Sequence, residues 1–329
     1  MNQYLRNMTA TEQVGAMFVF VFGCLFIVSI ILLLLSLREH REGRMAEQHS
    51  ANLVHANTLL RGTWLMAIVF WIGWMSGTIG GNVLFGLVSF FALREFMALS
   101  PTQRGDHRSL VLAFFVILPL QYVLVGTRQF NLFTVFIPVY VFLTIPVISA
   151  LANDPQRFLE RNARLQWGIM VCVYGMSHVP ALLLLDFPKY HGRGAFLVFF
   201  LVLVVQTCMV VQHVAARRLQ RAPSVPAISS SFNWVSWGVG VGVASVLGGL
   251  LAGITPFNPG HAFLLAVVAS VAGSLGHLVM KAIKRDRGIP SWGNQGDGAT
   301  GAVGLLDKVD ALCFSAPVFF HSVRWFFHL

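Results

Sequence analysis

The chain of 329 residues is 56% hydrophobic and only 11% charged, with a mean hydropathy of +0.70. Soluble domains hold roughly 25% charged residues, so this composition excludes a soluble enzyme, a disordered chain and a disulfide-stapled secreted module. The net charge of +10 comes from 23 Lys and Arg against 13 Asp and Glu. Because these cations lie between apolar runs, they point to membrane topology and anionic lipid head groups, with no nucleic-acid partner.

A helix needs roughly 20 apolar residues to cross a bilayer core. Val14 to Leu37 supplies them in one run, closed by the basic stretch Arg38 to Arg44. The residues before it lack the short apolar region and cleavage site of a removable signal, so the run is expected to remain as a span. Gly62 to Phe96 is too long for one crossing, and Gly77, Gly80, Gly81 and Asn82 predict a turn that makes it a helical hairpin. Ser109 to Gly126 and Phe130 to Ala150 predict a second hairpin about Thr127 and Arg128. Gln166 to Leu185 and Ala195 to Val214 predict a third, parted by Asp186, Pro188, Lys189 and Arg193. Val235 to Ile254 and His261 to Met280 predict a fourth that turns over Pro256 to Gly260, and Ala311 to Phe327 is the last span. The expected fold is all-α: a polytopic membrane helical bundle of about ten transmembrane helices, forming one integral membrane domain over residues 1–329.

Eighteen Lys and Arg fall in the loops after the odd-numbered spans and five on the opposite side. That asymmetry places the basic loops in the cytoplasm and both termini outside. Cys24, Cys172, Cys208 and Cys313 all lie inside apolar runs without a CxxC pair, which fits small buried hydrophobes better than metal ligands or disulfides. His178 and His213 lie in apolar spans, where ionisable groups are functional candidates by default, and Asp186 is expected at the interface beside Pro188 and Lys189.

The longest connection of mixed character is 281–310, a cytoplasmic Gly-rich loop, and long connections are commonly functional. At helical spacing His277, Lys281 and Lys284 share one face at the membrane exit, with Arg285 and Arg287 beside them. They suit a grip on phosphate, with lysine as point charge and arginine as fork, and equally suit positive-inside anchoring. Gly288, Gly293, Gly296, Gly298, Gly301 and Gly304 would let backbone N–H groups approach a phosphate, or would simply make a pliant connector. Asp307 and Asp310 stand at i and i+3 on the opening turn of the last span. Two carboxylates there suit Mg²⁺ held for phosphoryl or nucleotidyl transfer, or the capping of a helix start.

The segment resembles the C-terminal signature of the phosphatidate cytidylyltransferases (CDP-diglyceride synthases). Lys284-Arg285, Asp286 and Gly288 match the K-R-D-x-G stretch; Gly293, Gly304, Asp307 and Asp310 match further on, with Lys308 in place of an arginine. Ala316-Pro317-Val318-Phe319 is similar to the family's following helix, and Ala92-Leu93-Arg94-Glu95-Phe96 to a stretch after an early hairpin. The resemblance implies a membrane nucleotidyltransferase of phospholipid synthesis, in a bacterial inner membrane with its active-site loop cytoplasmic. It would join CTP to phosphatidic acid, giving CDP-diacylglycerol and pyrophosphate. By the same resemblance Lys284 and Arg285 are the catalytic cations, while Lys281, Gly304 and Lys308 bind substrate. Mg²⁺ would sit on Asp307, Asp310 and His277. The partners implied are CTP, phosphatidic acid and anionic lipids, with a homodimer left open.

Several positions depart from the signature. Its K-D falls on Pro290-Ser291, its H-G-G on Ala302-Val303-Gly304, and the G-D-L stretch whose Asp shares the metal on Gly276-His277-Leu278. A further stretch, S-P-x-K-T-W, falls on Ser229 to Trp234, where Phe232 replaces the lysine. Histidine in place of a hard oxygen ligand is expected to lower Mg²⁺ affinity. These departures motivate a second reading, a catalytically degraded relative that binds lipid or nucleotide.

Overall fold

The computed structural model describes residues 9–42, 60, 64, 67–99, 103–187, 192, 194–293 and 304–327. The described residues form helices and connections, with no strand among them. In chain order the helices are α1 (Ala10–Glu42), α2 (67–75), α3 (Gly77–Ala98), α4 (His107–Gly126) and α5 (Phe130–Ala150). Then α6 runs continuously through Phe158–Gly168, Ile169–Gly175 and Met176–Leu183. It is followed by α7 (Gly194–Leu219), α8 (Trp234–Leu250), α9 (Pro259–Asp286) and α10 (Leu306–Phe327).

Among the described residues seven helices are long and apolar enough to cross a membrane: α1, α3, α4, α5, α7, α8 with its 3₁₀ extension to Ile254, and α9. The expected count of about ten is therefore met only in part. α2 has few described residues, α6 opens on the charged Glu160, Arg161 and Arg164, and α10 carries Asp307, Lys308, Asp310 and Arg324. Apolar side chains cover the outside of the bundle, as on Phe20, Phe26, Ile79 and Phe115, which is the surface a lipid solvent calls for.

The hairpins form where the polar interruptions predict them. α2 turns into α3 at Ser76–Gly77, where Gly77 has φ +71°, a few residues before the centre of the expected turn. A Cβ on Gly81 would stand 2.8 Å from the Gly73 carbonyl oxygen, so the two arms touch backbone to backbone. The α4–α5 turn holds Arg128 at φ 57°. Three helices widen locally to i→i+5 hydrogen bonding, at Ala113–Ile117, Phe136–Val141 and Ile169–Gly175. Each carries a proline in or beyond the widened stretch (Pro119, Pro138, Pro180), and widening re-satisfies carbonyls that the missing N–H would strand.

α10 is the central rod. It lies against α9 along most of its length and also meets α6 and α7. A Cβ on Gly175 would stand 2.2 Å from the Cys313 carbonyl oxygen, so α6 and α10 cross with no side chain between them. Where α9 meets α10, Gly276 faces the ring of Phe314 and Gly273 lies over Val205 of α7. Small residues at such crossings let helices approach closely where no hydrophobic force drives them together.

The candidate phosphate-binding end of the bundle

One end of the bundle collects the ends of α3, α6, α9 and α10. The connection expected over 281–310 is shorter than the sequence suggests, because α9 stays helical to Asp286 and α10 begins at Leu306. Lys281, Lys284 and Arg285 therefore sit on the last turns of α9, and Asp307, Lys308 and Asp310 on the first turns of α10. All are held on helices and not on a pliant loop. Gly296, Gly298 and Gly301 lie outside the described residues.

Asp307 is the organising group. Its Oδ1 accepts from Lys284 Nζ at 2.5 Å. Its Oδ2 accepts from Ser291 Oγ at 2.5 Å and from the Trp292 N–H at 2.8 Å. The connection is thus folded back under α10 so that its Ser291-Trp292 dipeptide faces the carboxylate. Trp292 is buried and stacks on Phe96 of α3, ring centroids 5.5 Å apart. Gly304 lies beside the backbone of Gly293 and has φ +72°, a left-handed conformation that glycine adopts without steric cost.

The start of α10 is fixed from a distance. Glu95 of α3, 5% exposed, accepts the Leu305 N–H at 3.0 Å on one oxygen and the Leu306 N–H at 2.9 Å on the other. The first N–H groups of a helix lack intrahelical partners, and a carboxylate suits the positive end of the helix dipole. Sequence reading marked Ala92 to Phe96 only as a similar stretch and gave Glu95 no role. Its signal was a carboxylate at the end of an apolar helix, and its partner lies 210 residues on.

Asp310 faces α9. Its Oδ2 accepts from His277 Nδ1–H at 2.7 Å, and its Oδ1 lies 2.6 Å from the Ala311 nitrogen. The three residues expected to share a divalent ion thus do not form one donor set. Asp307 is turned to Lys284 and the Ser291-Trp292 turn, while Asp310 is closed by His277 and a backbone N–H. Among the described residues no group of three or more His, Cys, Asp or Glu side chains is placed to hold a metal ion.

A half-open cleft lies beside these pairs, lined by Ile228, Ser229, Ser230, Ser231, Lys281, Lys284, Arg285, Ile289 and Pro290. The serines come from the connection before α8. That connection is anchored by Asn233 donating to the Ala222 carbonyl at 2.7 Å and by the Ser224 N–H donating to the Phe232 carbonyl at 2.8 Å. Phe232 is buried against Trp234, so the residue in the lysine's place packs the connection. Trp237 of α8 donates to Ser274 of α9 at 2.8 Å and ties the start of α8 to the face below the cleft. Three hydroxyls and three cations around one opening would suit a polyanion, since lysine and arginine can supply charge-assisted bonds and hydroxyls can complete an oxygen shell. The serine triplet is the lining that sequence reading missed. No charge marks it in the sequence.

The remaining candidates do not line the cleft. His178 is fully buried; its Nδ1–H donates to the Tyr174 carbonyl at 2.7 Å, and its ring packs on Phe133, Phe320 and His321. Asp186 is exposed, and so is His213. At the same end as the cleft a further knot joins α4 to α6. Arg161 donates to Asp106, Gln103 and Asp154, each at 2.7 Å, with its own side chain 4% exposed.

Helices of membrane length that gather lysines, an arginine and hydroxyls at one end define the class as a helical membrane protein with a cationic, hydroxyl-lined cleft. Comparison with known proteins sharpens this: residues 57–326 match the cytidylyltransferase family, and the chain belongs to that family, the phosphatidate cytidylyltransferases. Family membership supports a CTP-dependent nucleotidyltransferase in general. A relative in Escherichia coli K12, the uncharacterized protein YnbB, is 34% identical over 255 residues, covering 77% of this chain and 80% of that protein.

Proposed function

We propose that the protein is an integral membrane phosphatidate cytidylyltransferase. It would condense CTP with phosphatidic acid to CDP-diacylglycerol and pyrophosphate, on the cytoplasmic side of a bacterial inner membrane. The observation that carries this reading is the cleft in which Lys281, Lys284 and Arg285 face three serines, beside an Asp307 held by Lys284. In the reaction an oxygen of the lipid phosphate attacks the α-phosphorus of CTP. A new P–O bond forms, the bond to the β-phosphate breaks, and pyrophosphate leaves with the electron pair. The enzyme needs no covalent nucleophile, so its work is to align two polyanions and offset their charge.

Lys281 and Arg285 would take phosphate oxygens, the serines would complete their shells, and Asp307 would keep Lys284 aimed along the cleft. The membrane boundary at this end would admit the lipid phosphate from the head-group layer and the nucleotide from water. Anionic lipids are the natural surroundings of so basic a face.

Purified protein given CTP as its magnesium complex and phosphatidic acid should release pyrophosphate. Asp307→Asn should lower turnover by at least about 100-fold, the scale seen when a preorganised electrostatic group is removed. Turnover that is absent with every lipid phosphate and every nucleoside triphosphate tried would remove the enzymatic reading.

One observation favours the second reading, a relative that binds without turnover. Lys284, the cation aligned with the signature, is already paired with Asp307 at 2.5 Å. Under that reading CTP raises the thermal stability of the protein while no product forms. Loss of the shift in Lys281→Met/Arg285→Met would place the bound nucleotide in the cleft.

A further inference from the structure

We infer that His277 and Asp310 form a closed carboxylate–imidazole pair in the place where a resident divalent ion would have to sit between α9 and α10. The inference deepens the reading of this end as a nucleotide site and rests on it.

Both oxygens of Asp310 are engaged, one by His277 Nδ1–H at 2.7 Å and one by the Ala311 N–H at 2.6 Å. Its side chain is 3% exposed, against 21% for His277, so the imidazole lies over the carboxylate on the open side. Mg²⁺ gives up water reluctantly and is normally bound with several waters still attached. A carboxylate this enclosed has no room for such an ion. The residue that closes it is an imidazole, a poor partner for a hard oxygen-seeking cation. Asp307 is engaged in the same manner by Lys284, Ser291 and the Trp292 N–H.

The pair has a second consequence. It joins α9 to α10 one turn inside the cleft, because His277 stands four residues before Lys281 on the same face of α9. Asp310 is thus a positioning residue that fixes the relative height of Lys281, Lys284 and Asp307. A divalent ion would reach this site only with its nucleotide.

The test is a Mn²⁺ titration, followed by electron paramagnetic resonance, on the full chain in detergent without nucleotide. The wild-type protein and Asp310→Asn should give the same titration. His277→Asp should gain one bound Mn²⁺ per chain, and His277→Asp/Asp310→Asn should lose it again. A saturable Mn²⁺ site in the wild type that disappears in Asp310→Asn would overturn the inference. So would a folded His277→Asp that gains no Mn²⁺. If His277→Asp does not fold, the comparison of wild type with Asp310→Asn decides alone. Because the titration needs no turnover, failure of the cytidylyltransferase reaction would leave its outcome standing, and the two readings fail separately.

Discussion

Asp307 shows how one side chain can order a site. It ties a lysine from α9 and a turn from the connection to the first turn of α10. Glu95 does similar work from the other side, and its contribution is open to measurement. Glu95→Ala leaves two N–H groups without acceptors, at about 1–3 kcal/mol for each if water does not replace the carboxylate. A lower melting temperature in detergent is expected for Glu95→Ala and an intermediate one for Glu95→Gln, which keeps one acceptor. Equal stability of all three proteins would show that the start of α10 is held by other contacts. The lysines, the arginine and the two aspartates of the site were legible in the sequence because charge is rare in so apolar a chain. Ser229, Ser230 and Ser231 were not, since a hydroxyl becomes a ligand group only by what it faces, and Glu95 was not, since its partners are backbone N–H groups without a sequence signal.

At the scale of elements, the crossings of α10 limit what the helices can carry. Gly175→Ala would drive a methyl into the Cys313 carbonyl oxygen, a backbone atom that cannot swing aside. The expected cost is about 1–3 kcal/mol, typical of overpacking, with part of it spread into the site through α10. Gly242→Ala on α8 meets nothing within 4 Å and should be neutral or stabilising by up to about 1 kcal/mol through helix propensity. Thermal unfolding of the two variants side by side separates packing from propensity, and equal loss in both would contradict the crossing. The hairpins at Gly77 and Thr127–Arg128 were readable in advance because their turn residues interrupt apolar runs. The end points of α9 and α10 were readable only in part. The spacing of His277, Lys281 and Lys284 and of Asp307 and Asp310 is helical, as observed, but the apolar runs stop at Met280 and Ala311. Lys281 to Asp286 looks like loop by charge alone, yet α9 continues through it, since lysine and arginine are good helix formers and suit a helix C-terminus.

For the molecule as a whole, the two ends of the bundle differ in character. The basic end is tied by Arg161 to Asp106 and Asp154, which join the connections flanking α4 and α6. Arg161→Met should destabilise the protein by about 3 kcal/mol, the low end for a broken buried pair because Asp154 remains 28% exposed. Retained stability would mean that water takes over the two carboxylates. The cation count predicts an orientation in the membrane that labelling can check. Ser230→Cys, on the cleft, should react with a membrane-impermeant maleimide in inside-out vesicles, and Thr127→Cys, in the α4–α5 turn, in spheroplasts. The reverse pattern would turn the proposed active site to the outside and end the reading of a cytoplasmic enzyme.

The amino-acid order alone decided that this chain is a helical membrane protein, where most of its helices turn, and which few charged residues deserve chemical interest. Those features are local: apolar length is measured against a bilayer of fixed thickness, and a charge in such a chain is conspicuous by itself. Tertiary structure alone decided that Glu95 caps a helix more than 200 residues away, that three serines complete a cationic cleft, and that His277 closes over Asp310. Contacts of that kind depend on how far each helix is rotated and where it crosses its neighbours, and small residues such as Gly175 and Gly276 set those crossings without leaving a periodic trace in the sequence.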